Sequence, residues 1–185
     1  MKASDAWSAD EVLTRARAGE ASAFAALVRR YPRSVFSIAL RMLSDRHRAE
    51  DLAQEVFLQL YRGLENIESD THLAFWLRKV AMNRAIDRMR HESHYESEPL
   101  TEAAAVADQV AEDDPLLQRR MAELVAQLPP AARAVVVLRY QEDLDPTDIA
   151  STLDMSINTV KSHLKRSLTL LRARVQGTAI VEDIR

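Results

Sequence analysis

The chain has no cysteine and only three glycines, Gly19, Gly63 and Gly177, in 185 residues. Without Cys, neither an internal disulfide nor a thiolate-held zinc can form. A phosphate-cradling loop or dinucleotide fingerprint needs clustered glycines, and these three lie at least 44 residues apart. The turn glycines of a hairpin-built sandwich or barrel are missing as well. No apolar run approaches the roughly 20 residues of a membrane span. Met1 to Asp10 lacks the apolar centre of a signal peptide. The composition therefore predicts a soluble, helix-rich protein of a reducing compartment, with one or two small domains.

Charge is distributed in blocks. The net value is −3, yet residues 1–90 carry 15 Lys/Arg against 12 Asp/Glu, and residues 116–185 carry 10 against 8. Between them, residues 91–115 hold 8 acids and no Lys or Arg. Two mildly basic blocks flanking an acidic connector suit a nucleic-acid binder, although a solvated linker has the same composition.

Helical periodicity dominates both blocks. Ser8 and Glu11 form a capping box that starts a first helix, carrying Phe24, Leu27, Val28 and Tyr31 up to the interruption at Pro32. Phe36, Ala39, Leu40 and Leu43 form a second stripe. Ser44 or Asp45 caps a third helix, striped by Ala49, Leu52, Ala53, Val56 and Leu60, which Gly63 would end in a left-handed cap. A fourth carries Leu73, Trp76, Leu77 and Val80, then Met82, Ala85, Ile86 and Met89. This is a four-helix unit over residues 8–90. Residues 91–115, with Pro99 and Pro115, show no period and read as a flexible acidic linker, in which Ala103 to Val110 is a candidate helix on a partner. A second four-helix unit spans 116–176. Its first helix carries Leu117, Met121, Leu124, Val125 and Leu128 and stops at Pro129-Pro130. Ala131 to Tyr140 follows, with Val135-Val136-Val137 read as buried helix rather than strand. Asp145 caps a helix with Pro146 at its first position, and Ser156 caps the last helix, 157–175. The predicted fold class is all-α, two small helical domains joined by a flexible acidic linker.

The last helix carries the clearest chemistry. Val160, Leu164, Leu168, Leu171 and Val175 make one apolar face, while Asn158, Lys161, Ser162, Lys165, Thr169 and Arg172 share the opposite one. From Met155 to Val181 there are five basic residues and no acid. A short helix, a three-residue turn and this helix form a helix-turn-helix, whose second helix fits the major groove of B-DNA. Asn pairs with adenine and Lys with guanine, whereas Lys165, Arg166 and Arg172 suit phosphates, which position without specifying. An amphipathic helix with a solvated basic face is the plainer alternative; the cap, the turn length and the acid-free stretch together favour DNA.

Two further segments are informative. In His72 to Arg90, the basic Arg78, Lys79, Arg84, Arg88 and Arg90 interleave with Phe75, Trp76 and Met82, a pattern suited to single-stranded or melting DNA. Trp76 by itself is better explained by packing, and Asp87 is placed to pair with Arg84 or Arg90. On the third helix, Asp51, Gln54, Glu55 and Leu58 share a face, with Phe57 and Tyr61 as exposed aromatics beside it; this suits protein docking or plain solvation equally.

The spacing Asp51-x-x-Gln54-Glu55-x-Phe57, then Trp76-Leu77-x-x-Val80-Ala81-x-Asn83-x-x-x-Asp87-x-x-Arg90, resembles region 2 of extracytoplasmic-function (ECF, group IV) RNA polymerase sigma factors of the sigma-70 family. Leu128-Pro129-x-x-x-Arg133, Leu138-Arg139-Tyr140, Asp148-Ile149-Ala150-x-x-Leu153 and Thr159-Val160-Lys161-Ser162-x-Leu164-x-Arg166 resemble their region 4. The region 4 half alone also resembles the output domains of LuxR-type regulators. The resemblance implies a non-catalytic, bacterial, cytoplasmic protein, monomeric when free, with no cofactor and no metal. Its partners would be core RNA polymerase, promoter DNA and an anti-sigma factor, in a stress response.

The resemblance also implies roles by position. Asp51, Gln54, Glu55 and Leu58 match the face that docks on the clamp of the largest polymerase subunit, and region 4 would meet the flap. Glu68, Ser69, Asp70, Thr71 and His72 match the loop that captures a flipped base of the −10 element. Arg78, Lys79, Asn83, Arg84 and Arg88 match the helix that reads and melts it. Asn158, Thr159, Lys161, Ser162, Lys165 and Arg166 match the recognition helix of the duplex −35 element. The acidic segment 91–115 matches the connector threaded into the polymerase interior. Glu68 and Ser69 stand where many members have Arg-Gly, and Leu73 where Phe is common, so no −10 base preference carries over. Ser156 replaces a frequent Pro, and Asp154 a frequent Gly in the turn, where Asp tolerates left-handed backbone. A stand-alone helix-turn-helix regulator would instead dimerise on a palindrome. A helical metal-dependent hydrolase would need ligands facing a bundle core, and His91 with His94 in the acidic segment does not supply them.

Overall fold

The computed structural model describes residues 7–95 and 115–182. Every element among them is helical. The first unit comprises α1 (Ala9–Arg17), α2 (Ala21–Arg30), α3 (Pro32–Leu43), α4 (Arg46–Gly63), a 3-10 turn (Leu64–Asn66) and α5 (Asp70–Tyr95); the second comprises α6 (Pro115–Ala126), α7 (Pro130–Tyr140), α8 (Pro146–Leu153) and α9 (Ile157–Glu182). The expected helix over 103–110 lies outside the described residues.

Local chemistry sets most boundaries. The Ser8 hydroxyl accepts from the Glu11 N–H and the Glu11 carboxylate from the Ser8 N–H, closing the capping box of α1. One long first helix was expected, but Gly19, at φ +84°, splits it into α1 and α2. The first unit therefore has five helices, not four. Ser44 takes the left-handed conformation at the end of α3, and Asp45 then caps α4 by accepting from the Arg48 N–H at 2.9 Å. Gly63 is not a left-handed cap: its φ is −116°, and the chain continues into the 3-10 turn. α5 runs five residues past position 90, and α9 passes through Gly177 rather than ending there.

α3 is the hub. It packs on α4 and α5 of its own unit and on α6 and α7 of the other. The expected stripe of Phe36, Ala39, Leu40 and Leu43 lies one residue off the buried one. Val35, Ile38 and Met42 are fully buried, while Phe36 and Leu40 are only partly covered. Val35, Ile38, Ala39 and Met42 keep i, i+3, i+4, i+7 spacing, so α3 retains a single apolar stripe, displaced by one residue from the expected one. The two units share one core. Ala134, Val135, Val137, Leu138, Ile149, Ala150, Leu153 and Val160 belong to the same buried cluster as Leu27, Ile38, Leu52 and Met82. A smaller cluster, Leu128, Ala132, Val136 and Leu171, ties α6, α7 and α9 together. Val135 to Val137 are buried helix, as the sequence predicts.

Candidate nucleic-acid and protein interfaces

The helix-turn-helix is built from caps outward. The Asp145 carboxylate accepts from the N–H groups of Thr147 (2.7 Å) and Asp148 (2.9 Å), and Pro146 occupies the first turn. This anchors α8, whose Ile149, Ala150 and Leu153 are buried. Asp154, at φ +52°, makes the left-handed turn. The Ser156 hydroxyl then accepts from the Thr159 N–H at 3.1 Å and starts α9. Val160 and Leu171 pin α9 inward. Asn158, Thr159, Lys161, Ser162, Lys165 and Arg166 are all exposed. The structure thus brings these six together on one outward face, with the Thr159 hydroxyl engaged by Ser156 at 2.8 Å.

The loop before α5 is pinned from within. The His72 N–H donates to the Ser69 hydroxyl (3.1 Å), and the Glu68 N–H donates to His72 Nδ1 (3.2 Å). Tyr31, at the junction of α2 and α3, donates its hydroxyl to the Asp70 carboxylate, which Arg30 also approaches at 3.7 Å. Burial, with the Asp70 hydrogen bond and charge in support, pushes the Tyr31 phenol up to about 12. Glu68 and Thr71 remain exposed, and Leu73 is fully buried.

The basic residues of α5 do not share one face. Lys79 and Arg88 are separated by about two and a half turns and point in opposite directions. Arg88 donates to the Arg48 carbonyl (3.1 Å) and pairs with Glu55 (2.7 Å). Arg84 donates twice to the Gln59 side chain (3.1 and 2.8 Å) and approaches Glu55 at 3.6 Å. These two arginines brace α5 against α4. Asn83 is half-buried. Arg78 and Lys79 turn the other way, toward the second unit. Trp76 is half-buried against the core, as packing requires, and Lys79 lies over the Phe75 ring at 6.0 Å.

On α4, Asp51, Gln54, Glu55 and Leu58 are exposed and contiguous, Leu58 to 50%. Asp51 is 3.7 Å from His47. Of the flanking aromatics, Tyr61 is exposed and meets Phe24 edge-on at 5.0 Å, whereas Phe57, expected to be exposed, packs partly buried against the core.

Sequence patterns gave no sign of what joins the units. Lys79 donates to Asp154 at 2.8 Å, and Arg78 lies 3.8 Å from Glu142. Glu142 also faces Arg41 and the Ser34 hydroxyl from α3; its burial outweighs these partners and holds its carboxyl above the usual range. Arg133 is buried in α7 and donates to the Met42 carbonyl at the end of α3. The partners lie 75 residues apart for Lys79–Asp154 and 91 for Arg133–Met42, beyond any local signal.

A helix-turn-helix with an exposed, acid-free second-helix face, carried on a larger helical unit with its own basic helix, defines a DNA-binding transcription protein. Two family models match the chain: Sigma-70 region 2 over residues 27–95 and Sigma-70, region 4, over 118–171. The RNA polymerase sigma factor CarQ of Myxococcus xanthus is 31% identical over 162 residues, covering 86% of this chain and 93% of that one. The ECF RNA polymerase sigma factor SigW of Bacillus subtilis is 29% identical over 177 residues, covering 89% and 95%. Among solved structures, the fold is similar to CnrH in complex with the cytosolic domain of CnrY (TM-score 0.65, 20% identity, 90% of this chain and 96% of that one). It is also similar to RpoE in complex with the anti-sigma factor NepR, from Bartonella quintana (0.67, 19%, 83% and 96%). The chain belongs to the ECF group of RNA polymerase sigma factors, non-catalytic subunits that direct the polymerase to promoters.

Proposed function

We propose that the chain reads the −35 duplex with α9, through Asn158, Thr159, Lys161, Ser162, Lys165 and Arg166. The observation that carries this is the exposure of all six on the second helix of a helix-turn-helix, in a stretch without a single acid between Met155 and Val181. The loop Glu68 to His72 captures a base of the melted −10 element, and Arg78, Lys79, Asn83, Arg84 and Arg88 are the α5 residues assigned to reading and melting that element. Asp51, Gln54, Glu55 and Leu58 dock on the clamp of the largest polymerase subunit, region 4 meets the flap, and the acidic segment 91–115 enters the polymerase interior. The domain limits are 8–90 for region 2 and 116–176 for region 4. The free protein is a monomer, acts in the bacterial cytoplasm, and is held by an anti-sigma factor, in keeping with the inhibitor complex of its structural neighbour from Bartonella quintana.

The test is in vitro transcription with core polymerase and a randomised promoter library, comparing wild type with Lys161→Ala and Arg166→Ala. Each substitution removes one contact worth about 1–3 kcal/mol, so promoter-dependent output falls about tenfold while polymerase binding is unchanged. Lys161→Ala should also relax the −35 consensus, and Arg166→Ala should leave it intact. Full activity in both variants would remove α9 from promoter reading.

A further inference from the structure

We propose that Tyr31, which lies outside the loop assigned to −10 base capture, is a positioning residue for that capture: its hydroxyl holds Asp70, and with it the start of α5, so that Glu68 and Thr71 are presented to the strand. The proposal rests on the assignment of Glu68 to His72 to the −10 element and divides that loop into side chains that build it and side chains that read.

The division follows from where each side chain is engaged. The loop hangs between two buried anchors, Ile67 and Leu73. Within it, the Ser69 hydroxyl accepts from the His72 N–H, and His72 Nδ1 accepts from the Glu68 N–H. This reciprocal pair resembles a capping box in which a histidine turns back on the chain. The Asp70 carboxylate accepts from the Tyr31 hydroxyl through one oxygen and lies 3.7 Å from Arg30 through the other. The side chains of Ser69, Asp70 and His72 are thus built into the scaffold. Glu68 and Thr71 stay exposed, and neither side chain takes part in these bonds.

Tyr31 is itself held firmly. It is the last residue before α3, Pro32 follows directly, and its carbonyl accepts from the Val35 N–H at 3.3 Å. Its ring packs against the core of the first unit, and its hydroxyl reaches a residue 39 positions away. The bonds of Ser69 and His72 span at most four positions, so they shape the loop without placing it. Ile67 and Leu73 anchor its ends, and Tyr31 and Arg30 supply the polar ties at its middle residue. Of these, the Arg30 contact is long and half exposed, hence weak. The Tyr31 bond is charge-assisted and directional, and the raised pKa of the phenol keeps it a donor at neutral pH. A reading group has to be held within about 0.5 Å of its productive place by supporting side chains. Losing the tie therefore blurs base discrimination before it disturbs the fold.

The test is transcription by core polymerase and the full chain from barcoded templates, with the −10 element randomised in one library and the −35 element in another. Tyr31→Phe removes only the hydroxyl and keeps the packed ring. It is expected to lower discrimination at one −10 position about fivefold, the low end of what one base contact supplies, while the −35 preference holds. Asp70→Ala gives the same loss, and guards against misfolding of Tyr31→Phe. The double variant is no worse than either alone, because both remove one bond. Asp70→Asn keeps an oxygen for the Tyr31 hydroxyl and recovers most of the loss. A general folding defect lowers output from all templates alike and does not give this pattern. Wild-type −10 discrimination in Tyr31→Phe, additive losses in the double variant, or Asp70→Asn as impaired as Asp70→Ala overturns the proposal. Glu68→Ala and Thr71→Ala judge the loop assignment separately. An altered −10 preference in either, beside an unaffected Tyr31→Phe, leaves the loop reading standing and removes only the positioning role. A loss in Tyr31→Phe with neither of these altered overturns the division into builders and readers, and no change in any variant removes the loop reading as well.

Discussion

Glu142 illustrates how a single side chain can be surrounded by favourable partners and still cost stability. Arg78, Arg41 and Ser34 all favour its ionised form, yet burial dominates and raises its pKa. For a carboxyl whose folded pKa lies above its unfolded value, the linkage has one sign. The favourable contribution is complete below the unfolded value and fades as pH rises through the folded one. Glu142→Gln is therefore expected to raise the thermal midpoint at pH 7, and the difference from wild type should vanish by about pH 3, where both states of the wild type are protonated. A calorimetric pH series checks this; a lower midpoint at pH 7 would show that the ion pairs outweigh desolvation. Tyr31 and Asp70 show the other side of residue-scale chemistry. Their bond was not predicted, because nothing in the pattern around Tyr31 points to a residue 39 positions away.

At the scale of elements, caps and turns were read correctly where the signal is local. The capping box at Ser8, the cap at Asp45, and the Asp145-Pro146 start are each decided by side chains within four residues of the backbone they satisfy. Asp145→Ala should cost about 1 kcal/mol, read as a lower urea midpoint with an unchanged slope, because it orphans the N–H groups of Thr147 and Asp148. The α4 face supplies a second element-scale prediction. Gln54→Ala with Leu58→Ala removes side chains that are exposed and set no helix boundary, so the melting curve should hold while core-polymerase binding weakens at least about tenfold. Unaltered pull-down would place docking elsewhere. Glu55 is a poorer probe, since it also braces Arg84 and Arg88. Misreadings arose where context decides. Gly63 has the composition of a left-handed cap but continues into a 3-10 turn, and the buried stripe of α3 lies one residue from the expected one because its packing on other helices, not its pattern alone, sets which side is covered.

At the scale of the molecule, the two units are one packed body with a common core, although their sequences read as separate modules on a linker. Arg133 is the clearest joint. It sits in the Leu-Pro-x-x-x-Arg pattern, and its guanidinium spans to the Met42 carbonyl, one of the last in α3, where a cation also complements the helix dipole. Burial lowers its pKa to about 10, which leaves it charged at neutral pH. Arg133→Ala should cost about 2–3 kcal/mol by stranding that carbonyl, a drop in melting midpoint of about 5–10 °C. Energy transfer between dyes on the two units should fall as well. A drop in stability with unchanged energy transfer would show the bond to be internal support rather than a joint.

Local chemistry alone determined the all-helical class, the capping residues, the helix-turn-helix and the outward basic face of α9, because each depends on side chains within a turn or two of one another. Residue types also carried the family resemblance. Only tertiary packing decided that Arg78 and Lys79 face acids on the other unit while Arg84 and Arg88 face α4, and that Phe57 turns inward. The ion pairs and hydrogen bonds among them join residues 25 to 75 positions apart. Helical periodicity specifies which residues share a face but not what that face will meet.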